Sequence, residues 1–113
     1  MPEGKQSGEN PLANPARLAE LVAYQEGAVV SRTVLNRPAG TVTLFAFTAG
    51  QSLSEHTAPF DALVCLLEGE AEILIGGRPH RLQAGDIILR PASIPHAVKA
   101  VTRFKMLLIM IRS

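Results

Sequence analysis

The chain has 113 residues, a length that fits one domain, and 47% of them are hydrophobic, which is too many for a disordered chain. Its formal net charge of +1 argues against nucleic-acid binding, because proteins that bind nucleic acids usually carry a pronounced basic surface. The longest apolar run, residues 106–111, is too short to cross a bilayer and suits a buried strand, so no membrane partner is expected.

The chain has a single cysteine, Cys65, which rules out an internal disulfide and predicts a cytoplasmic protein. Cys65 lies between Val64 and Leu66 in an apolar stretch, where a thiol usually packs and is inert. The first ten residues lack the apolar centre of a signal peptide.

The N-terminal part of the chain has a different character from the rest. Residues 1–13 are polar and contain glycine and proline, so we expect a flexible arm, followed by a single domain over residues 14–113. Asn14 and Pro15 are typical of a helix start. Leu18, Leu21 and Val22 follow on one side, and the pattern predicts a short helix of one or two turns.

From residue 29 onward the pattern is that of an all-β protein with about nine short strands, separated by glycine- and proline-containing turns. The strands that we can place are 29–35, 41–47, 63–67, 70–75, 78–82, 87–89, 96–101 and 104–111. Residues 41–47 and 70–75 alternate between two faces, and Gly76-Gly77 is typical of a hairpin turn. No helix separates the strands, so the sheets should be antiparallel in a sandwich or barrel.

Two stretches each run from a glycine to a histidine. Gly50 precedes His56, with Gly69 behind it, and Gly85 precedes Pro91 and His96. In these residues the chain resembles the cupin family, whose motifs read G-x5-H-x-H-x3/4-E-x6-G and G-x5-P-x-G-x2-H-x3-N. The resemblance covers roughly residues 40–101 and implies a double-stranded antiparallel β-helix, the jelly-roll barrel, with a short N-terminal helix before it.

The chain departs from both motifs at four positions. Alanine stands at the second histidine (Ala58), the glutamate (Ala62) and the asparagine (Ala100), and Ser93 stands at the second glycine. In metal-binding cupins three histidines and the glutamate hold the metal. The resemblance therefore implies His56 and His96 as ligands of a divalent transition metal, such as Zn, Fe, Mn or Ni.

Two imidazoles are fewer than the three protein ligands that a catalytic metal normally has. Asp61, one residue from the glutamate position, is the candidate third ligand, provided that a bulge or the turn at Pro59 redirects it. Without a third ligand we expect no cofactor. The two histidines would then bind a polar or anionic small molecule, act in proton transfer, or remain as hydrogen-bonded polar groups at the barrel mouth.

The three alanines predict a wider interior than a metal site leaves, and a roomy apolar pocket with a few polar groups is the usual small-ligand site. The residues that we expect to line it are Phe45, Phe47, Ala58, Phe60, Ala62, Val64, Leu66, Val98, Ala100 and Met106. Ordinary core packing is the competing interpretation for each apolar member.

Three functions follow from these observations. The first is a small cupin of bacterial type that binds a small molecule in the barrel mouth beside an incomplete histidine metal site. The second, implied by the resemblance, is a metal-dependent dioxygenase, isomerase or decarboxylase acting on a small organic acid or sugar derivative. The third is a non-catalytic sensor or interaction module. The resemblance also implies a homodimer, to which strand 29–35 or segment 14–22 would contribute.

Overall fold

The computed structural model describes residues 10–112, which form nine strands and two single-turn 3-10 helices. The strands are β1 (Val29–Arg37), β2 (Gly40–Phe47), β3 (Ser52–His56), β4 (Asp61–Glu68), β5 (Glu70–Ile75), β6 (Arg78–Gln83), β7 (Ile87–Arg90), β8 (His96–Ala100) and β9 (Phe104–Ile111). The helical turns are Pro11–Ala13 and Leu18–Glu20. The sequence predicted every strand except β3, which is short and mostly exposed and so lacks an apolar face.

All strand pairs are antiparallel, as predicted. One sheet has the strand order β1-β2-β9-β4-β7 and the other has the order β3-β8-β5-β6. The inner faces of both sheets contribute to one apolar core. This two-sheet arrangement is the jelly-roll barrel that the sequence predicted.

The turns between strands confirm the glycine pattern. Gly76 and Gly77 join β5 to β6 with backbone φ angles of 58° and 80°, values that suit a two-residue hairpin turn. Gly69, between β4 and β5, has a φ of 81°, and a Cβ added there would lie 2.0 Å from the carbonyl oxygen of Arg103. Only glycine therefore allows the chain to leave one sheet for the other at this point.

Between the sheets, the core is closely filled with apolar side chains. The rings of Phe47 and Phe104 stack with centroids 4.5 Å apart, and both residues are fully buried. The rest of the buried cluster consists of Val64, Leu66, Ala71, Ile73, Leu82, Val98, Ala100 and Met106. Strand β2 is buried on both faces, because Leu44 and Ala46 on its other face belong to a second cluster.

The N-terminal segment covers that second cluster. Val22 packs with Leu44 and Ala46 against the outer face of the five-stranded sheet. The short helix is present as a 3-10 turn, but Asn14 ends the first turn and does not cap the second, which follows Arg17. No helix in residues 10–112 is long and apolar enough to cross a membrane.

Polar contacts fasten this segment to the barrel. The Tyr24 hydroxyl donates a hydrogen bond of 2.7 Å to Glu68, and the charged groups of Arg103 and Lys105 lie 4.8 and 4.9 Å from the centre of its ring. Burial and the bond to Glu68 raise the pKa of Tyr24. Of the predicted flexible arm, residues 1–9 lie outside the described part of the chain, whereas Asn10 binds the carbonyl oxygen of Val34.

Candidate functional site

The two candidate histidines meet on the inner face of the four-stranded sheet. Strand β3 pairs with β8 so that His56 lies directly opposite His96. The register shifts between Leu53 and His56, and this irregularity adds one residue to β3. In an unbroken register Glu55 would face His96, so the bulge gives the inward position to His56.

Each imidazole is oriented by the backbone carbonyl group two residues before it in the chain. Nδ1 of His56 lies 2.8 Å from the Ser54 carbonyl oxygen, and Nδ1 of His96 lies 3.2 Å from that of Ile94. A carbonyl oxygen only accepts hydrogen bonds, so both Nδ1 atoms carry the proton. The two Nε2 atoms, 3.0 Å apart, are then both acceptors when the rings are neutral. Two acceptors this close need a second proton on one of the rings, or a proton donor or a cation beside both Nε2 atoms.

Below the pair lies a small cavity of about 80 Å³. It is lined by Phe45, Leu53, His56, Val64, Ile73, Arg90, His96, Val98, Met106 and Leu108. Seven of these side chains are apolar, and the polar ones are the two imidazoles and one guanidinium. The cavity is therefore mainly apolar, with three polar side chains in its lining.

Arg90 lines this cavity and is a candidate site residue that was not predicted from the sequence. Only 8% of it is exposed, and its buried Nε has no hydrogen-bond partner. It lies opposite Ala62 on the neighbouring strand, on the inner face. The pattern of β7 could have identified this residue. The strand starts at the exposed Ile87, and because side chains alternate between faces, its fourth residue, Arg90, points inward.

The environment of His96 favours the neutral imidazole. His96 is 2% exposed, and this burial lowers its pKa below the usual 6.5. The positive charges of Arg90 and of His56, when it is protonated, lower the pKa of His96 further, whereas the bond to Ile94 opposes the shift. Burial also lowers the pKa of Arg90, which stays charged because a free guanidinium titrates only above 12.

The structure brings only part of the predicted pocket together. Phe45, Val64, Val98 and Met106 line the cavity. The other six predicted residues, Phe47, Ala58, Phe60, Ala62, Leu66 and Ala100, are not among its lining residues. Phe47, Ala62, Leu66 and Ala100 are packed and buried, and the Ala58 carbonyl accepts a bond from the Ser93 amide. The alanines therefore do not produce the wide interior that we expected, because neighbouring side chains fill the space.

Asp61 does not join the imidazole pair. It lies opposite Ile111 at the start of β4, one position before the inward Ala62, so alternation turns it to the outer face. Its carboxylate accepts a hydrogen bond of 2.7 Å from the Ala92 amide. No group of three or more histidine, cysteine, aspartate or glutamate side chains within residues 10–112 is arranged to hold a metal ion.

The site can be tested for its fit to a divalent metal. Two nitrogen ligands at right angles on an ion with bonds of about 2.1 Å would be about 3.0 Å apart, which matches the Nε2 separation. The remaining donors do not match, because residues 10–112 offer no third protein ligand beside the imidazoles and the charged side chain that lines the cavity is Arg90. The residues present therefore do not fit a resident divalent metal.

The fold and the two histidines agree with a family comparison. The family model described as "Cupin domain" matches residues 43–112. The chain belongs to the cupin family. The match includes both histidines and Arg90, so the site described above lies within the cupin domain. No curated protein shows significant similarity to this cupin.

Several solved structures are similar to this cupin along most of the chain. A conserved protein of unknown function from Streptococcus pyogenes is 37% identical, with a TM-score of 0.84 and 89% of both chains covered. A cupin superfamily protein from Desulfitobacterium hafniense is 33% identical, with a TM-score of 0.86, over 93% of this chain and 97% of that one. A cupin 2 conserved barrel domain protein from Leptotrichia buccalis is 44% identical, with a TM-score of 0.81. The match covers 84% of this chain but only 46% of the Leptotrichia chain.

The lowered pKa of His96 predicts a pH dependence of stability. The unfolded chain takes up a proton on His96 near pH 6.5, whereas the folded chain does so only at lower pH. The stabilising contribution is complete above pH 6.5 and is lost as the pH falls through the folded pKa, with a slope of at most about 1.4 kcal/mol per pH unit. Urea unfolding between pH 7.5 and 4.5 should show this slope, and His96→Gln should reduce it. An identical slope in the variant would contradict the assignment.

Proposed function

We propose that this cupin binds a small organic molecule in the cavity below His56 and His96, and that it does so without a resident metal ion. The observation that supports this most directly is the presence of three polar side chains in the lining of an otherwise apolar cavity. Such a chamber orients a ligand by few polar contacts and holds it by apolar burial.

The size of the cavity limits the ligand. A cavity needs roughly 10–15 Å³ of volume for each water molecule that it holds. A cavity of about 80 Å³ therefore accepts about five to eight non-hydrogen atoms. This corresponds to a short-chain organic molecule.

The alternatives need features that this site lacks. A metal-dependent dioxygenase, isomerase or decarboxylase would need a third protein donor beside the imidazoles, and residues 10–112 do not provide one. A module that merely retains its histidines would gain nothing from a buried guanidinium whose Nε has no partner. Ligand binding accounts for both the cavity and the guanidinium.

Titration with four-carbon compounds tests this function. Butyrate, butyramide and 1-butanol span three head groups, and at least one should shift the NMR signals of Ile73, Val98 and Met106. Val98→Phe should abolish the shifts of Ile73 and Met106 by filling the cavity. The control is Val101→Phe, because Val101 is 40% exposed and does not line the cavity. Failure of all three compounds, or shifts that survive Val98→Phe, would contradict binding in this cavity.

We also propose that two copies of this cupin associate through the outer face of the five-stranded sheet. The N-terminal segment covers one part of that face, and a second part around β7 stays uncovered. Ile87, Leu89 and Ile111 are 60%, 51% and 50% exposed there, and β7 is an edge strand. Exposed apolar residues along a sheet edge favour association. Segment 14–22 packs on its own barrel through Val22.

Light scattering tests this interface. Wild-type protein should have twice the 12.1 kDa mass of one chain, and Ile87→Glu with Leu89→Glu should give the single-chain mass. Val101→Glu is the matched control, because it puts the same charge on an exposed valine outside this face. A dimer that resists the double substitution, or a monomeric wild-type protein, would contradict the proposal.

A further inference from the structure

The guanidinium of Arg90 faces the cavity as an unneutralised positive charge. More than nine-tenths of the residue is buried, and within residues 10–112 no aspartate or glutamate forms an ion pair with it. A buried cation of this kind is costly unless a counter-charge binds it. Because the planar fork of arginine matches a carboxylate with two parallel hydrogen bonds, the ligand class that satisfies it best is a carboxylate.

The imidazole pair needs a hydrogen-bond donor. With both Nδ1 atoms donating to backbone carbonyls, two Nε2 acceptors stand 3.0 Å apart at the top of the cavity. A hydroxyl group placed about 2.9 Å from both Nε2 atoms donates its single proton to the pair and relieves the contact between acceptors. A carboxylate suits Arg90 but not this position, because its oxygen atoms are themselves acceptors and would lie against the two Nε2 acceptors.

The remaining walls are apolar and leave little room. Phe45, Ile73, Val98 and Met106 line the same cavity as the three polar side chains and offer no hydrogen-bond groups from their own side chains. A ligand of about five to eight non-hydrogen atoms that also carries a carboxylate and a hydroxyl has a carbon chain of only about two to five atoms, counting the carboxylate carbon.

We infer that the ligand of this site is a short-chain hydroxycarboxylate, with its carboxylate on Arg90 and its hydroxyl on the Nε2 atoms of His56 and His96. The inference rests on the proposed function, since it specifies which small organic molecule occupies the cavity. It assigns Arg90 to the selection of charge and the imidazole pair to the selection of the hydroxyl group.

Calorimetric titration with four related compounds separates the two selections. The compounds are 2-hydroxybutyrate, 3-hydroxybutyrate, butyrate and 3-hydroxybutyramide. We expect the better hydroxybutyrate to bind at least tenfold more tightly than the amide, and about three- to tenfold more tightly than butyrate, because hydrogen bonds to charged groups contribute more than neutral ones. Equal affinity for the carboxylate and the amide, or for the hydroxybutyrates and butyrate, would overturn the inference.

Two variants assign each preference to its residue. Arg90→Met, similar in length and uncharged, should lose the preference for carboxylate over amide and keep the preference for the hydroxyl. His56→Leu, at an exposed position, should do the reverse. Loss of both preferences in either variant, or of neither, would contradict the assignment.

Folding and the proposed function are controlled separately. Arg90→Met should unfold at a temperature no lower than wild type, because it removes a buried cation. Should it fold poorly, Arg90→Lys keeps the charge without the fork and should weaken the carboxylate preference to an intermediate value. If neither charged nor neutral compounds bind in the cavity, the proposed function fails and this inference with it. If neutral compounds bind as well as the acids, only the inference fails.

Discussion

Strands approach the cavity from both sheets with side chains that alternate between an inner and an outer face, and this alternation decides the chemistry of the site. In β4 it turns Ala62 inward and Asp61 outward. In β7 it turns Arg90 inward, opposite Ala62. In β3 one bulge shifts the alternation by a residue, so that His56 and not Glu55 meets His96. A site with two acceptors and one cation results.

The charge of this site is the reverse of the one that the family motif implies. The motif places a glutamate at position 62, where this cupin has alanine, and the inward neighbour on the adjacent strand is a buried arginine. A carboxylate beside two imidazoles attracts a divalent cation, whereas a guanidinium repels it and attracts an anion. The lowered pKa of His96 agrees with this, because burial and, to a smaller extent, the charge of Arg90 disfavour a second positive group there.

The fold could be predicted from the sequence because most strands and turns carry a local residue pattern that matches the structure. The faces of strands 41–47 and 70–75, the Gly76-Gly77 hairpin and the antiparallel pairing are as predicted. The cavity could not be predicted, because cavity size depends on how distant strands pack. Ala62 and Ala100 looked like missing volume, yet both are enclosed by neighbouring side chains. Ser93 keeps a backbone φ of 64° at a motif glycine, which a sequence match alone does not reveal.

Metal retention is the most direct test of the claim that this cupin has an anion-binding cavity in place of a metal centre. Separate samples of purified protein would each be loaded with one equivalent of Zn²⁺, Fe²⁺, Mn²⁺ or Ni²⁺ and dialysed against metal-free buffer. The metal content that remains would be measured by elemental mass spectrometry. We predict that far less than one equivalent of any of the four ions remains, since two imidazoles beside a guanidinium bind a divalent metal weakly. One equivalent retained by the wild type, and lost in both His56→Ala and His96→Ala, would contradict this claim.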